Sequence, residues 1–545
     1  MNKKKLFGIL LPIIIAISIV VGMFIGRYYH VQKPDNQYII YPRTDKLTNV
    51  INYISREYVD PVDKNQLTEK TIPKLLELLD PHSQYIPATE FAQVNEPLEG
   101  NFSGIGVQFN MLNDTLVVLK AIANGPSEKV GILSGDRIIT VNNITVAGAK
   151  IPSDSIVKML KGPQGTTVNV GISRNQVKDL LNFTITRDQI PLYSVDVAYM
   201  VTNSIGYIRI STFSRTTFEE FASAAAKLLG QGMQKMILDL RGNGGGLLNT
   251  AVNVADQFLG EGQLIVYTEG NSRNRENFRA AKGGLCKDVE LVVLIDETSA
   301  SASEILAGAI QDNDRGLVIG RRSFGKGLVQ EQNMMSDGSA IRLTIARYYT
   351  PSGRSIQKPY NNGSEDYYNE LSSRFDHGEL LQRDSIIFSD SLKYTTAGGR
   401  TVYGGGGIMP DIFVPLDTSG YSNYFAEIRN RGLIYRFALE YSDKNRDKLN
   451  RLKSIEELLN FLDKQNVKKI FTNYAASNGV PLNKAGLQAS KFIIETQLKA
   501  YIARNIFDNE GFYPVIEKID NTLQVAIDEL NKGINLKKDT LTITD

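Results

Sequence analysis

An α/β protein of several domains is predicted by three features of this sequence. Two apolar runs of strand length, 236–240 and 291–295, each lead through a turn of small residues into a helix-forming stretch. Strand-like segments separated by glycine turns fill 104–187, and beyond 416 the chain becomes charged and helix-periodic. With 545 residues and 42% hydrophobic content, the chain can support more than one core.

Composition narrows the chemistry. A formal net charge of +2 argues against a dedicated nucleic-acid binder. Cys286 is the single cysteine, so no internal disulfide forms, and it reads as a small residue ahead of a strand. His30, His82 and His377 lie too far apart for a metal-ligand set, and none has the context of a Ser-His-Asp triad. Neither a metal nor an organic cofactor is expected.

The chain opens with Lys3, Lys4 and Lys5, followed by an uncharged apolar run over 6–25. At about 1.5 Å per residue such a run crosses a bilayer core of about 30 Å. Lysines before it favour a cytoplasmic N-terminus, so residues 1–27 are expected to form a single-pass membrane anchor with the remainder exported. A cleaved signal peptide is the alternative. Residues 28–95 hold a linker and an N-terminal helical segment. Leu47, Val50, Ile51 and Ile54 share one helical stripe, and Ile72, Leu75, Leu76 and Leu79 another, with Pro61 between them. His82, in a proline-containing turn, reads as a structural hydrogen-bonding residue.

Residues 96–188 resemble a PDZ domain, the peptide-terminus-binding module. The marks are Gly104, Ile105, Gly106 and Val107, the turn at 125–133, the segment 135–143 and a helix over 153–160. A glycine turn running into a strand offers unhindered amides to a peptide carboxylate, and the strand edge can pair with an extended chain. A small structural β-domain is the plainer alternative.

In 189–357, residues 205–210 alternate as a strand and 217–229 read as a helix with Phe218, Phe221, Ala225 and Leu228 on one face. The strand 236–240 ends in Arg241-Gly-Asn-Gly-Gly-Gly246, ahead of a further helix. The strand 291–295 ends in Thr298-Ser-Ala-Ser-Ala-Ser303, ahead of the helix that starts near Glu304. Ser301 therefore lies where a strand becomes a helix, its hydroxyl beside free helix N-terminal amides. Downstream, Lys326 stands between glycines just after another apolar strand, 316–320. A desolvated lysine favours its neutral amine, which can accept a serine proton, and Gln330 has the donor and acceptor to hold it.

Ser301-Ala-Ser-Glu-Ile305, with Lys326 in Phe324-Gly-Lys-Gly327 and then Gln330, resembles the carboxyl-terminal processing peptidases, serine proteases with a Ser/Lys dyad. The segments 79–85, 348–356 and 407–415 match the same family. The resemblance implies a ClpP/crotonase-like strand-helix catalytic core with an inserted PDZ domain. It makes Ser301 the nucleophile, Lys326 the general base and Gln330 the residue that orients it. The glycine turn departs from the family's usual Asn-Pro-Gly-Gly, reading Asn243-Gly-Gly-Gly246. Gly245 and Ala302 are the expected oxyanion-hole amides, with Gly246 close behind. Alone, that turn could equally cradle a phosphate. Glu304 reads as a helix-terminus or structural carboxylate.

Residues 358–404 read as a polar surface insertion, 405–416 as a closing strand of the catalytic domain, and 417–545 as a C-terminal helical extension outside the resemblance. In the extension, Ser454 and Glu457 form a capping-box pattern, and contact with an adaptor or a second copy is a candidate role. The expected function is endoproteolysis of exported or unfolded proteins near apolar C-termini, with the catalytic part in the periplasm of a bacterial inner-membrane protein. The alternative is a catalytically silent, membrane-anchored PDZ scaffold.

Overall fold

The computed structural model describes residues 16–25 and 46–534 except 176 and 387–389, together with 536, 542 and 543. The chain divides into two compact units, 1–72 and 73–545. Most of the expected anchor lies outside the described residues, and its described part, 16–25, is helical and exposed. Among the described residues no helix is long and apolar enough to cross a membrane. In the first unit the helix Lys46–Glu57 exposes Leu47 and Val50. The next helix, Lys64–Glu77, starts where the Asp63 carboxylate accepts from the Asn65 and Gln66 amides.

The second unit is built on a seven-stranded sheet. Its order is Val195–Met200, Ile205–Ile210, Lys235–Asp239, Glu290–Ile295, Leu317–Gly320, Ile412–Phe413 and Thr542–Ile543. The first pair is antiparallel and every later pair parallel. Parallel neighbours need crossovers, and the helices Thr217–Gly230, Leu248–Asp256 and Ala302–Asp312 provide them. Burial on both faces explains why the central strands read as unbroken apolar runs: Ile237, Leu238, Val292 and Val293 have no exposed surface.

A second sheet brings distant parts of the chain to the site. It runs Gln84–Ile86, Ala340–Tyr349, Leu264–Glu269, Glu276–Arg279, with Leu328–Met334 also paired to Ala340–Tyr349. Gln84 lies opposite Arg342, and Gln330 opposite Thr344 just past a register shift. The shift re-aims the strand beside the lysine.

Residues 107–186 form a six-stranded sheet around Leu116, Val118, Ile138, Ile172 and Ile185, with the helix Ser153–Leu160 packed on it. Strand Val107–Leu112 lies at its edge. Asn101–Gly104 pairs with Asp188–Pro191, forming a two-stranded neck whose second strand leads on toward the seven-stranded sheet.

The insertion 358–404 is less superficial than its composition suggests. Its helix Ser364–Asp376 buries Tyr367 and Arg374. Arg374 donates to the carbonyls of Ser323 at 2.8 Å and Phe324 at 3.1 Å. Arg400 pairs with Asp314 and Asp411, each at 2.6 Å. Charged residues that normally mark a solvated face here turn inward to matched partners, which corrects the reading of a surface excursion.

The C-terminal extension has its own core, including Phe425, Phe437, Leu458, Phe471 and Leu498. Ser454 caps the Glu457 amide at 3.2 Å, but the Glu457 carboxylate turns to the Lys453 amide instead of closing the expected box. The extension reaches the 107–186 sheet through Arg137–Asp443 at 2.5 Å and the seven-stranded sheet through Arg241–Asp520 at 2.7 Å.

Arg354 and Asp312 are a fully buried pair at 2.7 Å. Arg354→Ala should lower stability by about 3–5 kcal/mol by leaving the carboxylate without its countercharge. A urea titration of tyrosine fluorescence checks this, and an unchanged midpoint would contradict it.

Candidate active site

Ser301 stands immediately before the helix Ala302–Asp312, every residue of which is buried. Its backbone, at φ 56° and ψ −113°, is costly for a residue carrying a Cβ. The strain must be held by neighbours, and they are identifiable. The Ser301 amide donates to Glu304 Oε2 at 2.8 Å, and its carbonyl lies 3.0 Å from the Tyr348 hydroxyl.

Glu304 gathers the lysine loop onto the same carboxylate. It accepts from Ser323 Oγ at 2.5 Å, the Gly325 amide at 2.7 Å and the Lys326 amide at 2.9 Å. Complete burial pushes its pKa up to about 7, opposed by these four hydrogen bonds. The Tyr348 hydroxyl, 2.6 Å from the Lys326 carbonyl, bridges the two loops a second time.

Ser301, Ala302, Lys326 and Gln330 line one cavity of about 610 Å³, together with His82, Arg342 and Gly246. Burial lowers the Lys326 pKa, and the charge of Arg342 lowers it further, against the opposing pull of Glu304 and Asp80. Arg342 is held by Asn95 Oδ1 at 3.2 Å and Gln332 Oε1 at 2.8 Å. The His82 ring meets the Tyr367 hydroxyl at 3.0 Å. Burial, then the charge of Lys326, lowers its pKa to about 4, so the ring is neutral at pH 7.

Gln330 shares the cavity but bonds elsewhere: its Nε2 donates to Thr344 Oγ1 at 3.2 Å. Among the described residues, no hydrogen bond joins Gln330 to Lys326. The expected oxyanion hole is also rearranged. A Cβ on Gly245 would lie 2.7 Å from the Ser301 Cβ, so this turn packs directly on Ser301 and tolerates only glycine. Yet the Gly245 amide donates to Asn243 Oδ1 at 2.8 Å and is occupied in this conformation. The Ala302 and Gly246 amides have no partner among the described residues.

Asn243, buried, was not singled out by the sequence. Its Nδ2 donates to the Ile210 carbonyl, while its own carbonyl accepts from the Ala300 amide and Ser303 Oγ. It therefore binds the glycine turn to the serine turn. An asparagine in a glycine-rich loop signals only turn propensity, so nothing local identifies this role.

In the PDZ region, Gly106 takes φ 71°, and its carbonyl accepts from the Ile122 amide. Ile105 is buried, and its carbonyl accepts from both the amide and the hydroxyl of Ser127. Among the described residues the Ile105 and Gly106 amides have no partner. Gly104 ends one strand and Val107 begins the edge strand. Elsewhere, Cys286 is a buried free thiol whose pKa burial pushes up to about 11. No cluster of metal-ligating residues occurs among the described residues.

Residues 204–363 match the model of peptidase family S41, and 103–185 that of the PDZ domain. A carboxy-terminal-processing protease of Bartonella bacilliformis is 37% identical over 328 residues, 59% of this chain and 74% of that protein. The chain belongs to the carboxy-terminal processing proteases of peptidase family S41. Another member, carboxy-terminal processing protease CtpB of Bacillus subtilis, is 36% identical over 58% of this chain and 65% of its own length. The matches thus span about two thirds of these relatives. A solved photosystem II D1 C-terminal processing protease is 29% identical over 57% of this chain and 84% of its own, with a TM-score of 0.35. Residues 424–508, inside the helical extension, match a family of unknown function, DUF8443.

Glu304→Ala should cost about 3 kcal/mol or more, because four buried donors lose their acceptor. Glu304→Gln isolates the titration. A carboxyl raised from 4.5 to about 7 binds more protons folded than unfolded. Its stabilising contribution is present below pH 4.5 and is lost as pH rises through 7. Denaturation midpoints between pH 4.5 and 7.5 should therefore fall less steeply in Glu304→Gln than in wild type. Parallel slopes would show that Glu304 does not titrate there.

Proposed function

We propose that the chain is a serine endopeptidase that cuts proteins near their C-termini by acyl transfer to Ser301, with Lys326 as general base. One observation carries the reading: a serine on a strained strand-to-helix turn and a desolvated lysine line the same cavity, their loops fixed to one carboxylate. The neutral Lys326 amine takes the Ser301 hydroxyl proton as Oγ attacks the scissile carbonyl. The amides of Ala302 and Gly246 face the oxyanion, and Gly245 joins them once Asn243 releases it. The Lys326 ammonium then protonates the leaving amine, and water reverses the sequence to free the acid product and Ser301.

The PDZ domain would capture substrate tails, with the Ile105 and Gly106 amides receiving the terminal carboxylate and strand Val107–Leu112 pairing with the chain before it. The edge position of that strand supports this role. Repeated parallel strand-to-helix crossovers support a ClpP/crotonase-like core. The apolar run over 6–25 supports an anchor in a bacterial inner membrane, with the catalytic part in the periplasm.

A resting enzyme and a silent scaffold differ in what substrate does to it. The occupied Gly245 amide favours neither, but it requires rearrangement before acylation in an active enzyme. Incubated with an unfolded protein ending in apolar residues, wild type should release C-terminal fragments resolved by mass, while Ser301→Ala and Lys326→Ala retain peptide binding without cleavage. Binding without cleavage by wild type, across a range of unfolded substrates, would favour the scaffold.

Arg342 supplies a second test. Replacing it by glutamine removes a charge that depresses the Lys326 pKa, so the rising limb of kcat/KM should move to higher pH. An unmoved limb would mean that another group limits the rate.

A further inference from the structure

Gln330 is offered to Lys326 by the family pattern, yet a glutamine amide can point either end at a neighbour. Oxygen and nitrogen differ only in hydrogen bonding, so something must fix the rotation. Thr344, directly across the sheet, is placed to do so.

The geometry has one consistent proton assignment. Asp80 is buried, and its carboxylate only accepts. Thr344 Oγ1 lies 3.1 Å from Asp80 Oδ1, so the threonine proton must point at Asp80. Thr344 Oγ1 then has only lone pairs for Gln330, 3.2 Å away, which must present its NH₂. Reversing the amide would set its oxygen against that oxygen or strip the proton from the Asp80 contact. Fixing Nε2 on Thr344 leaves Gln330 Oε1 for the cavity, and Oε1 has no partner among the described residues.

Asp80 is itself held firmly. Oδ1 accepts from the His82 amide at 2.8 Å and the Ser83 amide at 2.9 Å, and Oδ2 accepts from Ser83 Oγ at 2.6 Å. Ser83 Oγ in turn accepts from the Thr344 amide at 3.1 Å. Strand Gln84–Ile86 then continues along Ala340–Tyr349, fixing the turn against the strand that carries Thr344.

We propose that Asp80 and Thr344 are positioning residues for the reaction: Asp80 orients the Thr344 hydroxyl, which orients the Gln330 amide so that Oε1 receives a hydrogen of the Lys326 amine. The proposal rests on Lys326 as general base. A short turn some 250 residues upstream thereby sets which hydrogen of the amine is held and so directs its single lone pair toward Ser301. The groups facing Lys326 are Arg342 across the cavity, Glu304 beneath the loop, and Asp80 and His82 on the turn, with Lys358 acting on His82.

The test uses the full chain with Thr344→Val, which keeps the side-chain shape and deletes the relay, Thr344→Ser, which restores it, Gln330→Ala, and the Thr344→Val/Gln330→Ala double variant. With an unfolded protein as substrate, Thr344→Val should lower kcat about tenfold to a hundredfold with KM within about twofold, and Thr344→Ser should recover most of the rate. In the double variant, Thr344→Val should add no loss beyond Gln330→Ala, because its effect passes through that amide. Losses that multiply, or no rescue by serine, would overturn the relay.

A second readout needs no proteolysis. Acetylation of Lys326 by acetic anhydride, followed by mass across pH, reports its ionisation directly. An acceptor on the ammonium raises its pKa, so Thr344→Val should move the Lys326 titration to lower pH. An unchanged titration would also overturn the proposal. If wild type fails to cleave while the titration still shifts, the peptidase reading fails and the relay stands.

Discussion

The geometry of the site depends on a single carboxylate. Glu304 lies in the first turn of a wholly buried helix, where a negative charge meets the positive end of the helix dipole. It takes the Ser301 amide from one loop and the Ser323, Gly325 and Lys326 donors from another. Those loops leave the C-terminal ends of adjacent parallel strands, the place where such sheets assemble sites. Isolated burial of a carboxylate is costly, and four convergent donors offset much of that cost. The strained backbone of Ser301 and the position of Lys326 thus have one common support.

Outward from that carboxylate, the layers come from ever more distant sequence. Asn243 ties the glycine turn to the serine turn, and Tyr348 bridges the serine and lysine loops. The insertion braces the lysine loop from behind: Arg374 holds two of its carbonyls, and Lys358 lies 3.8 Å from the Phe324 ring centre. The helical extension reaches the base of the glycine turn through Asp520, Arg241 and the buried Asp239, whose carboxylate two arginines hold well below its ordinary range. A segment with no assigned chemistry is therefore structurally continuous with the catalytic sheet.

The two turns that bear Ser301 and Lys326 were legible because their signal sits in local pattern. Ser301 and Lys326 each follow an apolar strand at a small-residue turn, and short stretches suffice to show that. The amide donors were less legible. Gly245 packs against Ser301 through its turn, but whether its N–H is free depends on the rotamer of Asn243. Gln330 lines the same cavity as Lys326, while its partner came from a strand fourteen residues on. The insertion misled because buried arginines and tyrosines have the same composition as a solvated loop, and only their partners distinguish the two.

By itself the sequence determined the element order, the alternation of buried strand and helix, and the two turns that carry Ser301 and Lys326, since hydrophobic periodicity and turn chemistry act over a few residues. The tertiary structure alone decided which donors converge on Glu304, which amides stay free, how Asp80 meets Thr344, and that the insertion packs behind the lysine. Those outcomes depend on hydrogen-bond direction and strand register between segments far apart in the chain. Such contacts form only when the whole sheet closes, so no window of sequence contains them.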